Sequence, residues 1–235
     1  MINWIKRLIF ERKLNHAYRT NRLDIQARVN EKHFPLKSFM LFRGLYAYDL
    51  EFLISEEDVL RVKKVISENF PLKTEELYFK AELSNSDNLQ IHIHVHHNFN
   101  GAVVLLVTNS VSLLNSLDNL KLQTLPPWIV FPNADPDYFT CTQGNEEYWS
   151  HCYFVPFWCS LNIIEKFSYI ENAPPKWREL FFYFYMYEFH FKKPFITMQE
   201  FADNSGISFE EVKIQVDAGL FPSTVVDGEI MIKSH

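Results

Sequence analysis

ELYFKAELSNSDNLQIHIHVHHNFNGAVVLLVT, residues 76–108, is the stretch whose reading decides the fold class. Glu76 to Leu83 alternates Leu77, Phe79, Ala81 and Leu83 with polar neighbours, and Leu89 to His97 alternates again. A period of two is the mark of a strand with one buried face. Ser84 to Asn88 between the two runs has turn composition. Asn100-Gly101 follows, the dipeptide best suited to a two-residue type I′ turn because both positions tolerate positive φ. Ala102 to Thr108 then returns as an apolar strand. Strands joined in this way form an antiparallel meander, and the expected class is α+β, a meander packed with helices.

Outward from the meander, Ser38 to Ile54 reads as two short strands broken at Arg43-Gly44. Ser55-Glu56-Glu57-Asp58 starts a helix running to about Asn69, because a serine hydroxyl accepts from the third amide and early acids complement the helix dipole. Ser110 to Leu120 predicts a short helix. Leu125 to Pro132, bracketed by prolines, reads as a strand. Tyr148 to Phe167 predicts a helix kinked at Pro156, and Pro174-Pro175 opens another, since a proline at the first turn removes an amide that has no partner there. Pro194 ends that helix. Asn3 to about Arg28 reads as a helix with a basic polar face. The expected organisation is a basic N-terminal helix over residues 1–35, an α+β core over 36–193 and an acidic module over 194–235.

Composition narrows the function classes. The 235 residues are 47% hydrophobic and 16% aromatic, enough to bury a core and against disorder. Six glycines and the absence of Gly-x-Gly-x-x-Gly or Gly-Lys-Ser/Thr argue against a phosphate-cradling loop. Cys141, Cys152 and Cys159 are odd in number and lack zinc-finger spacing, which fits reduced thiols in a cytosol. Met1 to Phe10 is interrupted by Lys6 and Arg7, and no run approaches the roughly 18 apolar residues of a membrane span. A cytoplasmic protein is expected. Charge divides unevenly: residues 1–35 carry eight Lys and Arg against three acids, whereas residues 194–235 carry seven acids against Lys213 and Lys233.

The histidines of the meander invite a chemical reading. His92, His94 and His96 share one strand face while Ile91, Ile93 and Val95 take the other. Two histidines two apart on a strand can chelate zinc, and a third ligand would complete an open catalytic site, so His92, His94 and His96 are the candidate metal ligands, with His151, His190 and Glu188 as further donors. Against this stands a strand face on which histidine is simply a polar residue; its prediction is that changing His92 and His94 to glutamine leaves stability within about 1 kcal/mol. Contact with a partner is the third reading. No His-Glu-x-x-His motif or Asp-rich loop accompanies the run.

Other constellations carry less. His151 beside Cys152 does not make a nucleophile pair, because adjacent helical residues point about 100° apart. Cys152 and Cys159, flanked by Phe and Trp, are expected to be buried small hydrophobes. Asp135, Asp137, Glu146 and Glu147 form acidic pairs in loops or at helix starts, where acids serve as caps or solvated charges. No catalytic residue set emerges, and no cofactor other than zinc is suggested.

The C-terminal residues read Phe195-Ile-Thr-Met-Gln-Glu-Phe-Ala-Asp-Asn-Ser-Gly-Ile-Ser-Phe-Glu-Glu-Val212, continue to Ala218-Gly-Leu-Phe-Pro-Ser223, and close on Asp227-Gly-Glu-Ile-Met-Ile232. This layout resembles the small helix-turn-helix of MerR-type regulators and phage excisionases. The resemblance implies that Thr197 caps the first helix, Ala202 lies at the helix contact, Gly206 makes the turn, Ile207 enters the core and Ser208 caps the recognition helix, with Val212 and Val216 facing inward. It leaves Phe209, Glu210, Glu211, Lys213 and Asp217 at the positions where DNA readers place Arg, Asn, Gln or Lys. Acids there oppose phosphate, so the resemblance implies the fold kept and the DNA function lost.

The resulting expectation is a non-enzymatic binding protein. In character the chain is similar to bacterial immunity proteins, which neutralise basic nuclease-type toxins by protein contact. Asp135, Asp137, Glu146, Glu147, Glu210, Glu211 and Asp217 are then the partner-binding candidates. The alternatives are a metal-dependent enzyme on the histidine strand and a DNA-binding regulator that uses the basic N-terminal helix. A basic protein partner is expected, nucleic acid is not, and the oligomeric state is left open.

Overall fold

The computed structural model describes residues 13–18, 33–40, 44–141, 143–185, 195–221, 223–226 and 228–233. Its contacts divide the described chain into two units, one of residues up to 130 with 143–160, the other of 131–141 with the residues from 161 onward. The boundary expected at residues 193–194 lies outside the described residues. The division instead groups residues 161–185 with the terminal module.

The first unit is built on a five-stranded antiparallel sheet: β1 (Ser38–Phe39), β2 (Tyr48–Ile54), β3 (Phe79–Ser84), β4 (Gln90–Asn98) and β5 (Gly101–Thr108), in spatial order β1-β2-β5-β4-β3. The α+β class and the meander read from residues 76–108 are therefore present. Register assigns the faces. Ile93 sits opposite Leu106 and Val95 opposite Val104, and on β2 Leu50 and Phe52 meet the same two β5 residues. All six are 2% exposed or less, which makes this face the core. Behind the strands lie α2 (Glu56–Asn69), which buries Val59, Val62, Val65 and Ile66, and α3 (Val111–Asp118), which buries Leu113, Leu114 and Leu117; α2 touches both α3 and β5. Both helices start as expected: the Ser55 hydroxyl accepts from the Asp58 amide and the Ser110 hydroxyl from the Leu113 amide.

Three local expectations are corrected. The β4–β5 turn is Phe99-Asn100, with φ of 54° and 55°, and Gly101 is already the first residue of β5, paired with Asn98. Gly101 is needed for closeness: a Cβ there would lie 2.3 Å from Leu125 Cδ1 and 2.7 Å from the Ile54 carbonyl oxygen. The stretch expected as a strand around Leu125–Pro132 contains instead a one-turn helix, α4 (Pro127–Val130). Proline suits a helix start, and the Asn100 amide donates to the carbonyls of Ile129 (3.1 Å) and Val130 (3.2 Å), satisfying groups that a helix end leaves open. The helix expected from Tyr148 runs as α5 (Asn145–Trp149), a π-helical stretch Ser150–Phe154 and α6 (Val155–Ser160), then stops; Asn162 caps a new helix, α7 (Ile163–Ile170). The widened turn lies just before Pro156, which has no amide to donate and whose ring crowds the carbonyl four residues back.

Residues 13–18 form α1, whose Leu14, Ala17 and Tyr18 pack with Met40, Leu45, Ala47 and Val107. This part of the basic N-terminal helix packs on its own protein; the rest lies outside the described residues. In the second unit, α8 (Pro175–Tyr185) starts at the expected proline and buries Trp177, Leu180 and Phe181. The terminal module contains β6 (Phe195–Thr197), α9 (Met198–Ser205), α10 (Phe209–Asp217), β7 (Ser223–Val226) and β8 (Glu229–Lys233), with its strands in the order β6-β8-β7. It is a helix-turn-helix with a closing hairpin. Thr197 and Glu200 form a reciprocal capping box, Gly206 takes φ 71° at the turn, and Ser208 caps α10. Ala202, Ile207, Val212 and Val216 are buried, and Phe201 packs on Phe167 and Phe221.

Candidate functional site

Two surfaces carry polar groups in arrangements that fold stability does not by itself require. The first is the histidine face of the sheet. His92 lies opposite Val107 and Glu82, His94 opposite Leu105 and Lys80, and His96 opposite Val103; Glu51 and Asp49 of β2 pair with Leu105 and Val107 on the same face. The alternation is as expected, with Ile91, Ile93 and Val95 on the core side.

The three histidines nevertheless differ. His92 is buried under α1, at 9% exposure. The Tyr18 hydroxyl donates its only proton to the Val107 carbonyl at 2.9 Å, so the 2.8 Å contact with His92 Nδ1 must be an N–H of the imidazole donating to the phenol oxygen. That fixes the tautomer and places the ring's lone pair on Nε2. His94 is exposed and its ring lies 4.9 Å from that of His96, whose Nδ1 is buried with no hydrogen-bond partner. Burial lowers the pKa of both His92 and His94, with the neighbouring His96 adding to the shift at His94. Among the described residues no three His, Cys, Asp or Glu side chains group so as to hold a metal ion. Of the three expected ligands His92, His94 and His96, His92 has its Nδ1 engaged by Tyr18. His151 is exposed, and Glu188 and His190 lie outside the described residues.

His92 has a consequence for pH. Its folded pKa lies below the ordinary value of 6.5, so under that pH the unfolded chain takes up a proton that the folded chain refuses. The associated stability is complete above pH 6.5 and is lost as pH falls below it. Urea unfolding of the wild type and of His92→Gln at pH 7 and pH 5 is expected to show a flatter pH profile in the variant, which at pH 7 loses about 1–2 kcal/mol for disturbing a buried hydrogen bond. This revises the limit of about 1 kcal/mol for His92, whereas exposed His94 keeps it. A pH profile unchanged by His92→Gln would refute the assignment.

Sequence reasoning passed over Glu51, Tyr148 and Tyr153. The hydroxyls of Tyr148 (3.3 Å) and Tyr153 (2.7 Å) both donate to Glu51 Oε1. Residues five apart are separated by about 140° on an α-helix. The π-helical stretch, in which the Val155 amide bonds to the Ser150 carbonyl, brings them onto one face, with Phe99 stacked on Tyr148. Burial and the Glu51 carboxylate push the Tyr153 phenol well above its usual range. The available signal was Asp49 and Glu51 alternating inside the otherwise apolar run Tyr48–Ile54. Cys152 and Cys159, expected to be buried, are both exposed, because the face that residues 150–159 turn inward is taken by Tyr153, Phe154, Phe157 and Trp158.

The second surface is α10. Val212 and Val216 face inward, while Glu210, Lys213, Ile214 and Asp217 are exposed, with Ile214 at 62% and Phe209 at 37%. Glu211 is half-buried beside the Ser208 cap. The hairpin adds exposed Val225, Val226 and Ile230. Glu210 and Glu211 occupy the first turn, where the dipole favours acids, but Asp217 stands in the last turn, where it does not. The other acidic candidates are distributed. Asp135 and Asp137 share one loop of the second unit, Asp137 being 3.6 Å from Lys176 with both side chains 69% exposed. Glu146 and Glu147 belong to the first unit and open α5, whose cap residue Gly144 supplies no side chain. Among the described residues no helix is long and apolar enough to cross a membrane. Compared with known proteins, the chain matches no family model, no curated protein and no solved structure.

Proposed function

We propose that the protein is a non-enzymatic binding protein whose terminal module docks a basic protein surface, and that it acts as an inhibitor of the immunity type, neutralising a basic nuclease-like toxin. The observation that carries this reading is the exposed arc of α10. An apolar Ile214 is flanked by Glu210 and Asp217 at the positions where a DNA reader presents cations. An apolar centre with a charged rim is the anatomy of a protein interface, and acids steer a basic partner toward it. Asp217 strengthens the argument, since a carboxylate at a helix C-terminus opposes the macrodipole and gains nothing for the helix. Asp135 and Asp137 in the second unit and Glu146 and Glu147 in the first are the further acidic candidates for the contact. A DNA regulator is disfavoured on the same residues, because phosphate contacts require cations.

The test uses the full-length chain and a basic nuclease-type toxin domain. Glu210→Gln, Glu211→Gln and Asp217→Asn together are expected to lower the association rate about tenfold at low salt, within the range of electrostatic steering, with the difference shrinking as the Debye length falls to about 8 Å at physiological ionic strength. Ile214→Asp is expected to raise the dissociation rate. Sequence-specific duplex binding at physiological salt would replace the inhibitor with a regulator. An association rate indifferent to the three acids would move the contact off α10.

A further inference from the structure

The histidine face is covered at two ends. At one, α1 lays Tyr18 over Val107 and His92; at the other, the π-helical stretch contacts β2 and brings Tyr153 to Glu51. Leu105 between them is the one residue of β5 that is not buried. A cavity of about 310 Å³ opens there. At about 30 Å³ per water its volume equals roughly ten waters, room for the end of a long side chain or a small organic molecule. Its floor is apolar, formed by Leu105 and Val107, and its polar groups stand above that floor at Asp49, Glu51, Glu82 and Lys80, with His92 and His94 between them.

The polar groups favour one ligand charge. Three carboxylates face one lysine among the described lining residues, and Glu82 is already engaged by Lys13 at 2.9 Å. Glu51 is the oriented member: both tyrosine hydroxyls bond to Oε1, which leaves Oε2 to accept from a ligand. A carboxylate fixed beside an apolar floor suits a cation carried on an aliphatic stem, with the stem on Leu105 and Val107 and the charge at Glu51.

We propose that this groove binds an alkyl cation, a guanidinium or ammonium group on an aliphatic stem. The site lies on the sheet of the first unit and does not depend on the inhibitor reading of α10. The same chemistry has two sources, a free small molecule or a protein's arginine or lysine side chain.

Titration of the full-length protein with butylguanidinium, followed by backbone amide shifts, is expected to give saturable changes at Glu51, Ala81, His94 and Leu105. Butan-1-ol, which has the stem without the charge, is expected to give none. Glu51→Gln retains the size of the side chain and is expected to weaken binding at least tenfold. His94→Lys, at an exposed position, brings a second cation to the groove and is expected to weaken it similarly, which covers the case in which the Glu51 variant misfolds. Absence of saturable shifts, equal shifts with butan-1-ol, or unaltered binding in well-folded variants would each overturn the proposal. The peptide Gly-Arg-Gly separates the sources: binding at least tenfold tighter than butylguanidinium assigns the groove to a protein side chain, and equal binding assigns it to a free cation.

Discussion

Replacing Asp118 with alanine is expected to cost about 3–5 kcal/mol, the typical penalty for stranding one member of a buried ion pair. The Lys37 side chain is fully buried and the Asp118 side chain 12% exposed, and Nζ donates to Asp118 Oδ1 as well as to the carbonyl of Pro35 at 3.0 Å. Without the aspartate an ammonium remains in the interior, with backbone carbonyls that solvate it only in part. Lys37→Met is expected to cost less, because the carboxylate left behind keeps a path to water and the methionine fills much of the lysine's volume. Urea unfolding of both variants checks the order. A loss under about 1 kcal/mol for Asp118→Ala would show that the pair contributes as little as an exposed one.

Gly101→Ala is expected to be the most damaging of the glycine substitutions, at about 2–3 kcal/mol or more, toward the upper end of overpacking costs. The added Cβ would meet Leu125 Cδ1 at 2.3 Å and the Ile54 carbonyl oxygen at 2.7 Å. A leucine methyl can swing away, but the Ile54 carbonyl belongs to the neighbouring strand, whose register through Ile54 and Ala102 would have to shift. Gly206→Ala supplies the contrast. No atom lies within 4 Å of its added Cβ, so only the φ of 71° opposes it, at about 1–2 kcal/mol. Thermal unfolding of the two variants separates crowding from backbone strain, and an equal loss in both would remove the packing explanation.

The start of β5 at Gly101 also shows where the sequence was legible and where it was not. Alternation in residues 76–108 identified the strands and their faces, since a period of two depends only on which side is buried. It did not identify the turn residues, because Asn100-Gly101 suits a turn by φ while the contact with Ile54 and Leu125, distant in sequence, demands the glycine in the strand. Leu125–Pro132 failed for a related reason: the Asn100 amide that completes the one-turn helix comes from a hairpin remote in the chain. The cap at Ser55 was legible because capping is a contact within three residues, and those at Thr197 and Ser208 are the ones that the helix-turn-helix resemblance implies.

The same distinction governs the candidate sites. The exposed residues of α10 follow from helical spacing and the turn at Gly206. The role of His92 depends on Tyr18, seventy-four residues earlier, and no pattern within β4 separates it from His94. The pairing of Glu51 with Tyr148 and Tyr153 was hidden twice over, by distance along the chain and by a helix whose local pitch departs from the one that sequence spacing assumes.

That departure in pitch acts as a phase shift. Tyr148 and Tyr153 are neighbours five residues apart, and Trp149 and Phe154 stack at 5.0 Å with the same spacing. The segment from Asn145 to Ser160 is in effect two α-helical frames spliced with one surplus residue, each keeping its own inward stripe. Straightening this stretch to α-helical pitch with no residue removed would put about 140° between Tyr148 and Tyr153 and turn one of them from Glu51, even if every side chain named in the groove were kept. The pitch of this stretch is therefore as much a specification of the site as the identity of its residues.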